Sequence, residues 1–150
     1  YHMRFREATS AIGSIFPILS AHPPENTMKR LKPGVDKHPH HGNPNVAAAV
    51  LKRKEAQHVA WAYQRGEDYN YGRGFGFTGA HFHEKWASLD ARRRVLNAIA
   101  WIAKVDVPKT GVSSKEVTMK DLLKNQDFPK PENWKNQKKV EQKMAGFRLN

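Results

Sequence analysis

Glycine and phenylalanine alternate through Gly74-Phe75-Gly76-Phe77. Successive side chains of a strand point to opposite faces, so Gly74 and Gly76 leave one face bare for close packing while Phe75 and Phe77 fill the other. The earlier stretch His58–Gln64 alternates as well, with Val59, Trp61 and Tyr63 pointing one way. The polar segment Gly66–Gly72 between them reads as a turn, and the whole as an antiparallel hairpin with a medium loop. Gly74 to Gly79 also spells GxGxxG. A dinucleotide fingerprint, however, needs its glycines in a turn that opens a helix, with an acidic residue about 20 positions on. Here the glycines sit within a strand, which excludes that reading.

Around this hairpin, Tyr1–Arg6 has the period of a strand, and Ser14–Ala21 is a short apolar run whose Pro17 marks an edge strand or a bulge. His22–Pro44 holds five prolines among charges and reads as a long loop. Asn45–Lys54 has good helix formers. The clearest helix is Ser88–Lys104, with Ser88 as its cap and Asp90 at its positive end. Val95, Ile99 and Ile102 mark its inner stripe at i, i+4 and i+7, and Arg92, Arg93 and Arg94 fall on the outer side. Hydrophobic residues make up 46 of the first 108 positions but only 12 of the last 42. Residues 1–108 therefore read as a domain and 109–150 as a partly ordered basic tail, with one short amphipathic helix over Thr118–Asn125. The chain opens at Tyr1 inside a strand-like stretch, which reads as a piece of a longer protein.

The net charge is +12. The excess is concentrated in 29–54, with seven Lys and Arg against one acid, and in 109–150, with ten against five. Charge of this kind gives non-specific affinity for nucleic acid. No recognition helix, zinc finger or aromatic RNA-binding signature accompanies it, so nucleic-acid binding ranks as the lesser alternative. No apolar run approaches the ~18 residues of a membrane span. The chain has no cysteine, which removes disulfides, CxxC zinc sites and thiolate nucleophiles and leaves the redox compartment open.

The chemistry-bearing cluster is His81-Phe82-His83-Glu84. In an extended stretch His81 and His83 share a face with Phe82 turned away. Two imidazoles at that spacing can act as general base and hydrogen-bond donor, or as ligands of a divalent metal such as zinc. Glu84 can orient a histidine or act as an acid, or be a plain surface carboxylate. Trp86 can floor a sugar pocket or pack in the core. A second cluster, His38-Pro39-His40-His41-Gly42-Asn43, has no established metal spacing. From it His41 and Asn43 join His2 and Trp86 as candidate substrate contacts.

Taken in order, Tyr1-His2-Met3-Arg4-Phe5, Pro17-Ile18-Leu19-Ser20-Ala21, His41-Gly42-Asn43-Pro44, His58-Val59-Ala60-Trp61-Ala62-Tyr63, Gly72 to His83 and Arg94-Val95-Leu96-Asn97-Ala98-Ile99-Ala100-Trp101 resemble the C-terminal part of a ThuA-like (trehalose utilisation) domain of planctomycete-type bacteria. The resemblance covers about residues 1–108. It implies an α/β fold of the flavodoxin-like, class I glutamine-amidotransferase-like kind, here its C-terminal half with the N-terminal strands missing. It also implies carbohydrate catabolism, with trehalose, related disaccharides or their 3-keto derivatives as substrates. Amidotransferases of that class carry Phe-His-Pro-Glu and a catalytic cysteine. Phe82-His83-Glu84 lacks the proline and the chain lacks cysteine, which argues against glutamine hydrolysis. The family's Gly-Gly-His is Gly79-Ala80-His81 here. The expectation is thus a His81/His83 site acting on a sugar, with or without a metal; the alternative is a non-catalytic carbohydrate-binding or scaffold module.

Overall fold

The computed structural model describes residues 13–25, 44–124, 129 and 137–148. The expected strand at 1–6, most of the proline-rich loop and the 38–43 cluster lie outside the described residues. The chain is mixed α/β and divides into two compact units between Thr78 and Gly79.

The first unit carries a three-stranded antiparallel sheet in the order β1 (Gly13–Ala21), β2 (Gln57–Arg65), β3 (Arg73–Phe77). Before β2 comes α1 (Pro44–Ala47), which widens into a π-helical turn over Ala48–Lys52. Among the described residues β1 lies at the edge of the sheet, and its register slips between Pro17 and Leu19 and again between Leu19 and Ser20, beside a proline that cannot donate to the ladder. β2 and β3 form the expected hairpin, closed by a 3-10 turn over Glu67–Tyr69 with Asn70 and Tyr71 in the left-handed region.

Side-chain sizes in the sheet are complementary from strand to strand. On one face β2 presents Ala60 and Ala62, flanked by Leu19 and Phe16 of β1 and by Phe77 and Phe75 of β3. Large neighbours cover the small central residues, and both alanines are buried. On the other face β2 presents Trp61 and Tyr63, and β3 presents Gly76 and Gly74 opposite them. The Trp61 indole lies against Gly76, where a Cβ would come within 2.2 Å of the ring. Tyr63 instead approaches β1, where a Cβ on Gly13 would lie 2.9 Å from its hydroxyl oxygen. Gly74 is therefore left open. The bare face expected of both glycines is used at Gly76 alone.

The second unit begins with a 3-10 helix, His83–Ala87, followed by α2 (Leu89–Ile102). The Ser88 hydroxyl accepts from the Ala91 backbone N–H, capping α2 as its sequence implied. At the other end the Val105 N–H reaches the Ala100 carbonyl while Lys104 turns left-handed at φ 58°, a Schellman-type stop built without glycine. A one-turn α3 (Met119–Leu122) has a full capping box between Thr118 and Asp121.

The packing of α2 corrects the expected faces. Arg92, placed outside by the helical wheel, is only 8% exposed. Ile99, placed on the inner stripe, is 58% exposed, and Ile102 is exposed too. The reason is a polar staple. Arg92 Nη1 donates to the carbonyls of Trp86 (2.6 Å) and Ala87 (2.8 Å), and its Nε donates to Ser114 Oγ (2.9 Å). The Val112 N–H donates to Asn97 Oδ1 at 2.7 Å. Side-chain hydrogen bonds to a neighbouring loop thus decide which face turns inward, and hydrophobic period cannot register them.

Gln137–Arg148 forms a 12-residue helix, α4, whose Met144 is 1% exposed and which packs against the 83–87 turn. Its lysines and glutamines hide a short apolar row, Val140, Met144 and Phe147, at i, i+4 and i+7.

Candidate functional site

The Gly79-Ala80 step sets the direction of the histidine segment. Ala80 lies at φ 61°, a conformation that costs a non-glycine residue about 1 kcal/mol. After it the chain bends rather than running on as a strand. Phe82 takes the cap position of the 3-10 helix, and the Lys85 N–H closes onto its carbonyl at 3.1 Å. Phe82 itself keeps an extended backbone (φ −97°, ψ 131°), but the segment bends out of the strand direction. His81, Phe82 and His83 line the same cleft.

This cleft has a volume of about 310 Å³ and lies within the second unit. One wall is His81, Phe82, His83 and Glu84; the others are Met119, Leu122 and Leu123 of the α3 segment and Val140 of α4. Both imidazoles are exposed, and the His81 ring stands edge-on to Phe82 at 4.8 Å. The Phe82 ring is 56% exposed. The ammonium groups of Lys85 and Lys143 each lie 5.9 Å from its centroid.

Glu84 is the carboxylate of this wall, and its side chain is 12% exposed. Burial pushes its carboxyl up. A hydrogen bond from its own backbone N–H, the Lys143 ammonium at 3.0 Å and the charge of Lys85 outweigh that and hold it below the usual carboxylate range. At neutral pH Glu84 is an ionised partner of Lys143, so the acid role considered for it is not supported. Nearby, Asp121 is held lower still by Lys124 (2.8 Å) and by the hydroxyl and backbone N–H of Thr118.

Both carboxyls are lower in the folded chain than in the unfolded one. Their contribution to stability is present above their unfolded values of about 4 and is lost as pH falls through the folded ones. Unfolding midpoints of the chain in urea should therefore drop between pH 5 and pH 2. Glu84→Gln should make that dependence shallower; an identical slope in the variant would remove Glu84 from the account.

Of the other expected site residues, His2, His41 and Asn43 lie outside the described residues. Trp86 is half-buried and is not part of the cleft wall; its carbonyl serves the Arg92 staple. Among the described residues no three His, Asp or Glu side chains converge to hold a metal ion. His81 and His83 supply two donors, and Glu84 is engaged by Lys143, so this wall does not fit the divalent metal considered for it. The sequence marks the short helix over 118–125 but neither its place opposite His81 and His83 nor the part played by Lys143. Their signals were the Thr118/Asp121 capping box and the Val140, Met144, Phe147 row. Among the described residues no helix is long and apolar enough to cross a membrane. Comparison with protein-family models, with curated proteins and with solved structures found no match.

Proposed function

We propose that this chain is a ThuA-like protein of carbohydrate catabolism, and that the cleft beside His81 and His83 is where it takes up a disaccharide or its 3-keto derivative. The ordered series of motifs from Tyr1 to Trp101 supports the family, and with it a flavodoxin-like parent fold. The observation that carries the site is the convergence of both histidines and the open Phe82 face on one cleft. A few placed polar groups against an apolar wall are the usual composition of a small-molecule site. The imidazoles donate to and accept from sugar hydroxyls, and one of them can move a proton at a hydroxyl or at the carbon next to a keto group.

Glu84 is committed to Lys143 and offers no acid, which favours a second reading, a module that binds sugar without turning it over. Titrating trehalose and a keto-disaccharide into the whole chain, followed by amide NMR, tests both. Sugar binding should shift resonances around 81–84. The double variant His81→Ala/His83→Ala should weaken it by about tenfold or more, the worth of one or two good hydrogen bonds. Unchanged affinity in that variant would overturn the site. Turnover of the sugar in the wild type decides between enzyme and module.

A further inference from the structure

Charge is unevenly matched around the Phe82 ring. Two ammonium groups flank it, but one carboxylate serves them, and Glu84 is bound to Lys143. Lys85 forms no salt bridge among the described residues; its ammonium lies 5.9 Å from the ring centroid, and its charge acts on Glu84 at longer range. Asp121, the acid of the facing α3, is paired with Lys124. His81 and His83 add N–H donors and no negative charge. Among the described residues the edge of the cleft therefore offers an exposed aromatic face with two ammonium groups and one carboxylate beside it.

We infer that the cleft selects a sugar carrying an anionic substituent, a carboxylate or a phosphate, with the sugar ring on Phe82 and the anion on the Lys85 ammonium. This rests on the carbohydrate reading above. A neutral disaccharide gains from Lys85 a hydrogen bond to a hydroxyl or keto oxygen, whereas an acidic one adds the attraction between opposite charges. The Glu84–Lys143 pair serves the same end, because it neutralises the one carboxylate that would repel the anion. A cation held over a ring by weak attraction remains free to turn toward a stronger partner.

The test is calorimetric titration of the 150-residue chain at low salt with trehalose, a uronate-containing disaccharide and a disaccharide phosphate. At least one acidic sugar should bind about tenfold tighter than trehalose, and which one identifies the anion. Lys85→Gln should bring that affinity down to the neutral level, and Lys85→Arg should restore it. Lys143→Gln, which exposes the Glu84 charge, should also erase the preference. Equal affinity for neutral and acidic sugars, or a preference that survives Lys85→Gln in a variant with a native amide spectrum, overturns the inference and leaves the sugar site standing. Failure of all three sugars to bind overturns the carbohydrate reading and this inference with it.

Discussion

Replacing Arg92 by leucine should destabilise the second unit by about 3 kcal/mol, the largest effect expected of any single substitution considered for this chain. The guanidinium is almost fully buried and faces carbonyl oxygens rather than a carboxylate. Those carbonyls, of Trp86 and Ala87, close the C-terminal end of the 3-10 helix, where unpaired acceptors gather. Leucine fills part of the volume but leaves both acceptors and the Ser114 hydroxyl without their donor. Each buried polar group so abandoned costs on the order of 1–3 kcal/mol. Ser114→Ala removes one contact and should cost about 1 kcal/mol. Arg92→Lys keeps the charge without the fork and should fall between the two. Urea unfolding read by tryptophan fluorescence measures all three. A loss below about 0.5 kcal/mol in Arg92→Leu would mean the staple holds nothing, since that is the range of ordinary surface changes. The same variant should loosen the cleft, because the 3-10 helix that Arg92 anchors carries His83 and Glu84.

Alanine at Gly76 should destabilise the first unit by about 2 kcal/mol, whereas alanine at Gly74, two residues away on the same strand face, should be neutral or stabilise it by about 0.5 kcal/mol. A methyl at Gly76 would stand 2.2 Å from two carbons of the Trp61 ring and 2.7 Å from its nitrogen, so the indole has to leave its place. That overpacking exceeds the gain from removing a flexible glycine from a strand. Nothing lies within 4 Å of the corresponding point at Gly74, so only the gain remains. The opposite signs are the test. Equal effects at the two positions would mean that the indole does not rest on Gly76.

The local elements were legible for local reasons. Alternation at 58–64 and 73–77 marked β2 and β3, Pro17 marked the irregular edge strand, and Ser88 marked the start of α2. His81 and His83 could be singled out because imidazoles near neutral pH are chemically conspicuous in any sequence. Their company could not. The left-handed turn at Ala80 redirects the chain, and residues about 35–60 positions away supply the rest of the cleft. α4 was masked because its apolar row is three residues long within a run of lysine and glutamine. Its helix is held by burial of Met144 more than by propensity.

By itself, then, the amino-acid order determined what depends on neighbours within a few residues: strand period, helix cap, turn glycines and the histidine pair. Tertiary structure alone decided three things. These are which face of α2 turns inward, which of two equivalent glycines receives an aromatic ring, and which distant side chains share a cleft with His81 and His83. The physical reason is the same in each case. A buried arginine bonded to Ser114, an indole against the bare backbone of a neighbouring strand and an ion pair between residues 84 and 143 are contacts between segments separate in sequence, and no pattern along the chain encodes them.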